Sequence, residues 1–74
     1  MKITVKLFAS LGRERFDEKE IQMPNGISVH DVTKKLKIDP KEVSIIFINN
    51  RHAELEDTLK DKDILALFPP IGGG

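Results

Sequence analysis

The chain is 74 residues long, carries 12 Lys plus Arg against 12 Asp plus Glu for a formal net charge of zero, and has no Cys. A domain of this size buries only about 60% of the surface its unfolded chain exposes, so one small domain with a thin stability margin is expected. Disulfides, thiolate metal sites and a cysteine nucleophile are excluded. The neutral balance also lacks the electrostatic footprint of a nucleic-acid binder and the polybasic cluster of a membrane-surface binder.

Apolar residues make up 39% of the chain, enough to fold. The apolar stretch Val43 to Ile48, interrupted by Ser44, is far too short to span a bilayer. The start, Met1-Lys2-Ile3-Thr4, has no signal-peptide core. A cytoplasmic setting is therefore expected. With no Tyr or Trp, partner contacts must rely on Phe and aliphatic side chains.

In chain order, Lys2 to Phe8 alternates, with Ile3, Val5 and Leu7 on one face and Lys2, Thr4 and Lys6 on the other. That period of two predicts a half-buried strand, with Phe8 placed by parity among the polar residues. The charged run from Ala9 to Glu20 reads as a solvated connection with one helical turn near Ser10-Leu11. Glu20 to Met23 alternates again and predicts a second strand, and Pro24-Asn25-Gly26 is turn chemistry.

Ser28 then caps a predicted helix, with Asp31 as an acidic variant of the capping box. Val29, Val32, Thr33 and Leu36 form its apolar stripe. Lys34, Lys35 and Lys37 lie on the wet face and last turn, where positive charge suits the helix dipole. Asp39-Pro40 ends the helix or opens a turn. Val43 to Ile48 predicts a buried strand, Asn49-Asn50 a tight turn, and Arg51 to Leu55 a short edge strand. Leu59 to Asp63 is a polar turn with Leu59 as its apolar anchor. Ile64 to Phe68 predicts a last strand, ended by Pro69, which has no N–H for a central ladder.

One helix on one face of a mixed sheet of four to five strands, with the first and last strands parallel and adjacent, is an α+β fold of the β-grasp type. Residues 1–68 form that domain; residues 69–74 form an extended, flexible tail. The tail, Pro69-Pro70-Ile71-Gly72-Gly73-Gly74, starts stiff and ends without side chains, so it can enter a channel too narrow for other residues. Its reach is roughly 20 Å at about 3.3–3.6 Å per residue. The tail is expected to stay mobile until a partner grips it. The Gly74 carboxylate would be its reacting group.

Four motifs occur in order: Val5-Lys6-Leu7-Phe8-Ala9-Ser10-Leu11, Ile46-Phe47-Ile48-Asn49, Leu59-Lys60-Asp61-Lys62-Asp63, and the Phe-Pro-Pro-x-x-Gly-Gly ending. Together they resemble the MoaD/ThiS group of ubiquitin-like sulfur carriers, nearest to the small subunit of molybdopterin synthase. The resemblance implies that Gly74 is adenylated by an E1-like enzyme and converted to a thiocarboxylate. The large synthase subunit then accepts the tail, and the sulfur passes to a pterin precursor to build the molybdenum cofactor. It implies a non-catalytic chain that binds no cofactor or metal, because ATP and magnesium belong to the activating enzyme. A free monomer that joins a heterotetrameric synthase is implied as well.

Phe68 and Phe8 are the expected docking residues. The departures from the family pattern are Gly12, Lys62 in place of a usual Gly, and Gly72 in place of a small residue before the final pair. Lys62 is expected to strain or reshape its turn. His30 and His52 lack a partnered carboxylate in sequence and are assigned no catalytic role. Other readings are a carrier for thiamin synthesis or tRNA thiolation, a ubiquitin-like protein modifier, or a plain β-grasp interaction module. Ile71-Gly72, where modifiers often carry Arg before their diglycine, favours the carrier.

Overall fold

The computed structural model describes residues 1–13 and 15–70. Five strands and one helix follow the chain: β1 Lys2–Leu7, β2 Glu18–Gln22, α1 Val29–Lys35, β3 Ile45–Ile48, β4 Arg51–His52 and β5 Ile64–Phe68. The sheet order is β2-β1-β5-β3-β4. β1 and β5 are parallel, with Val5 opposite Leu65 and Leu7 opposite Leu67; the other pairings are antiparallel. This is the expected β-grasp, with both termini of the domain in the two central strands.

The alternation of β1 decides which face is covered. Ile3, Val5 and Leu7 are buried and meet Leu65, Leu67, Ile46, Val29, Val32, Leu11 and Leu59 in one core. At about 25 cal/mol per Å² of apolar surface removed from water, this shared burial is the main force holding helix to sheet.

Helix α1 begins at its expected cap but stops at Lys35, so Lys37 lies beyond the last turn and not in it. Ser28 Oγ accepts the Asp31 N–H at 3.1 Å. At the other end Lys37 adopts φ +59°, the Ile38 N–H donates to the Thr33 carbonyl at 2.8 Å, and the Lys37 N–H donates to the Lys34 carbonyl at 3.1 Å. These are the paired bonds of a Schellman motif, and buried Ile38 is its hydrophobic latch. The full reciprocal capping box lies one turn later, in the 3-10 turn Pro40–Glu42, where Asp39 and Glu42 cap each other's backbone.

Several sequence boundaries shift. β2 starts at Glu18 rather than Glu20, because antiparallel pairing with β1 brings Glu18 opposite Lys6 and Lys19 opposite Val5. Those residues look like a solvated run because β2 is an edge strand; only Ile21 is half-buried. Arg15 is no idle loop residue either. Its guanidinium donates to the Leu11 carbonyl at 3.1 Å and to the Lys37 carbonyl at 3.2 Å, tying the first loop to the end of α1. β1 stops at Leu7, since Ala9 turns to φ +50° and the Leu11 N–H closes back on the Phe8 carbonyl.

β3 begins at Ile45, because the Val43 N–H is taken by the Pro40 carbonyl. The strand is less buried than expected: Ile46 is buried, while Ile45, Phe47 and Ile48 are half-buried. β4 ends at His52; one more bond, from the Ala53 N–H to the Ile46 carbonyl, follows before Asp57 Oδ2 takes the Glu54 N–H and turns the chain away.

The departures at Gly12 and Lys62 have physical accounts. A Cβ at Gly12 would stand 3.0 Å from Asp17 Oδ1 and 3.2 Å from the Leu7 carbonyl oxygen, so a side chain is crowded out. Lys62 takes φ +71°, the left-handed conformation that the usual Gly would supply. The turn thus keeps the glycine-type shape under a side chain that disfavours it, at a local cost of about 1–2 kcal/mol. We expect Lys62→Gly to stabilise the domain by about 0.5–1 kcal/mol, after glycine's extra unfolded-state entropy is subtracted. Urea unfolding checks it; a lower midpoint would show that the lysine side chain holds the turn.

Candidate functional site

The side of the sheet opposite α1 has no element packed over it among the described residues. The same alternation that buries Val5 and Leu65 sends Lys6, Ile64, Ala66 and Phe68 to this outer face. The parallel register continues past the strand end, with the Phe8 N–H donating to the Leu67 carbonyl at 3.1 Å. Phe8 therefore stands beside Phe68. Their rings stack with centroids 4.2 Å apart and an interplanar angle of 8°.

The aromatic row extends further than the sequence reading reached. Phe47 on β3 meets Phe68 edge-on at 5.8 Å, and His52 on β4 meets Phe47 edge-on at 6.1 Å. Four rings thus cross the sheet from β1 to β4. Aromatic pairs of this kind contribute about 0.5–1.5 kcal/mol each beyond area burial. They also hold a large apolar surface rigid. Phe8 is 39% exposed and Ile64 41%. A shallow depression of about 270 Å³ is lined by Lys6, Phe8, Phe47, Asn50, Ile64, Ala66 and Phe68, with the small Ala66 as its floor.

Sequence reasoning selected Phe8 and Phe68, and the structure brings them into contact. It missed Phe47, Ile64 and Ala66. The signal was present: Ile64, Ala66 and Phe68 share one parity, as do Ile45 and Phe47. It was hidden because β3 reads as an all-apolar run whose two faces look alike. His52 gains a place at the end of the row, edge-on to Phe47, and no hydrogen bond to a carboxylate among the described residues.

A larger cleft, of about 600 Å³, opens beside β4 between Arg51, Thr58 and Lys60. Its carboxylates already serve the backbone: Asp57 accepts the Glu54 N–H, and Asp63 accepts the Lys60 N–H and the Asn49 side-chain amide. The chemistry of that cleft is turn formation. Among the described residues no group of three or more His, Cys, Asp or Glu is placed to hold a metal ion.

Pro69 is half-buried and Pro70 exposed as the chain leaves β5 next to this aromatic row. Ile71, Gly72, Gly73 and Gly74, assigned above to the tail in a partner's channel and to the reacting carboxylate, lie outside the described residues.

A β-grasp domain with an uncovered apolar sheet face and a proline-led exit from its central strand belongs to the ubiquitin-like class. The chain matches the model of the ThiS family over residues 5–74 and belongs to that family. It is a ubiquitin-like sulfur carrier of the ThiS/MoaD type, a class of small proteins that are generally non-catalytic. Among solved structures it is similar to a putative molybdopterin converting factor subunit 1 from Pyrococcus furiosus, at 29% identity and TM-score 0.72 over 96% of this chain and 99% of that one. A complex of subunits 1 and 2 of the molybdopterin-converting factor from Helicobacter pylori matches at 25% identity and TM-score 0.66, covering all of both chains. The small archaeal modifier protein 1 from Methanosarcina acetivorans matches at 28% identity and TM-score 0.65 over 99% of this chain and 96% of that one. No curated protein matches the sequence significantly.

Proposed function

We propose that this chain carries sulfur for molybdopterin synthesis as the small subunit of the synthase, with the sulfur held as a thiocarboxylate on Gly74. The observation that carries the reading is the uncovered aromatic face with its stacked Phe8 and Phe68, set where Pro69 and Pro70 lead the chain away from β5. The likeness to subunit 1 of the molybdopterin-converting factor supports it.

The chemistry follows from a side-chain-free carboxylate. The Gly74 carboxylate attacks the α-phosphate of ATP on an E1-like enzyme, and pyrophosphate leaves. A sulfur donor then displaces AMP from the acyl-adenylate and leaves the thiocarboxylate. The large subunit accepts the tail, and two such transfers build the dithiolene that holds the metal. Bases, ATP and magnesium belong to the partners; this chain contributes the sulfur-bearing group and the docking face.

The experiment is intact-mass measurement after incubation with an activating enzyme, ATP and a sulfur source. Exchange of one oxygen for sulfur at Gly74 supports the carrier. The likeness to the archaeal modifier protein favours a second reading, in which Gly74 forms an isopeptide with a substrate lysine. A covalent adduct to lysine in place of the thiocarboxylate would select it.

Docking is tested at the aromatic row. Interface anchors of this type cost about 2 kcal/mol or more when truncated, roughly a thirtyfold loss of affinity. Phe68→Ala is expected to weaken binding to the large subunit by that much, with Phe8→Ala next. Calorimetric titration measures it, and affinities equal to the parent chain would remove this face from the interface.

A further inference from the structure

We infer that Asn25 is a site of spontaneous deamidation and isoaspartate formation in the folded protein, and so a substrate for enzymes that methylate isoaspartyl carboxylates. Asn25, Gly26 and Pro24 are all exposed, on a turn held between buried Met23 and buried Ile27. Gly26 has no side chain to shield its backbone nitrogen, and nothing lies within 4 Å of where a Cβ would stand. Among the described residues its N–H donates to no partner. Neither end of the Asn25 side-chain amide is engaged among them.

The reaction needs only water. The Gly26 backbone nitrogen attacks Asn25 Cγ, its proton leaves, and the side-chain nitrogen departs as ammonia. A cyclic imide joins the two residues. Water opens the imide at either carbonyl, giving aspartate or isoaspartate; nothing is oxidised or reduced. Attack requires the Asn25–Gly26 peptide plane to rotate. Gly26, at φ +73°, tolerates both orientations, and the one bond closing the turn, from the Ile27 N–H to the Pro24 carbonyl, is long at 3.3 Å.

The other asparagines differ in these respects. Asn49 has both ends of its amide engaged, donating to Asp63 Oδ1 and accepting from the Ile64 N–H, each at 2.8 Å. It is followed by Asn50, and Asn50 by Arg51, whose side chains hinder attack. The isoaspartyl product would add a backbone methylene between two core residues, whereas the aspartyl product would only add a negative charge.

The test uses the full folded chain, aged in mildly alkaline buffer, then peptide mapping and labelling with S-adenosylmethionine and an isoaspartyl methyltransferase. One acidic variant is expected, mapped to residue 25 and accepting methyl label, with many-fold less change at Asn49 and Asn50. Asn25→Gln, which keeps the amide and slows ring closure, is expected to remove label and variant together. An intact Asn25 in folded protein whose unfolded form deamidates there would overturn the proposal, as would label mapped to Asn49 or Asn50. Mapping on the parent chain decides the matter even if the variant misfolds.

Discussion

Deleting Gly74 is expected to abolish thiocarboxylate formation altogether while leaving the unfolding midpoint unchanged. The proposed reacting carbonyl would retreat by one residue, about 3.3–3.6 Å. A misplacement of only about 1 Å can cost roughly a hundredfold in rate, so a shift three times larger takes loading below detection. Appending one alanine moves the carboxylate the other way and is expected to fail equally. Stability should not respond, because the buried core of the described residues runs from Ile3 to Leu67. Intact mass and thermal melting of the same samples separate the two effects. Full loading of either variant would sink the carrier reading of Gly74.

The second large effect lies in the core. Leu65 is fully buried in central β5, opposite Val5 on one side and Ile48 on the other. Leu65→Ala is expected to cost about 2–5 kcal/mol, the transfer term plus the cavity left behind. At roughly 0.05–0.15 kcal/mol per residue, a chain this short has about 4–11 kcal/mol in total. The variant should therefore unfold at a much lower urea concentration, and part of the population should be unfolded without denaturant. Ile64→Ala, one residue away on the open face, should change stability by no more than about 0.5 kcal/mol. Equal effects at the two positions would mean that the sheet is covered on both faces.

How far the sequence could be read follows from which forces act locally. The alternation in β1, the Ser28 cap and the Pro69 stop are local signals, and each appears where it was read. β2 was read short because an edge strand needs no apolar face to form; its backbone partner on β1 dictates it. Arg15 looked solvated because its acceptors, the Leu11 and Lys37 carbonyls, come together only in the fold. The site divides in the same way. Phe8 was visible as the aromatic that breaks a polar parity, and Phe68 through the Phe-Pro-Pro ending. Phe47 was not, because only the register of β3 against β5 tells its two faces apart.

The position of β5 has a consequence for synthesis. The last strand made lies in the middle of the sheet, and residues 64–68 bridge β1 to β3, joining partners about sixty positions apart such as Thr4 and Ile64. No nascent fragment that lacks β5 can close the sheet, so closure must wait until residues 64–68 have emerged. Distant pairings of this kind are also the slow ones to form. The apolar faces of β1 and β3 thus await their shared central partner until β5 itself is free to pair.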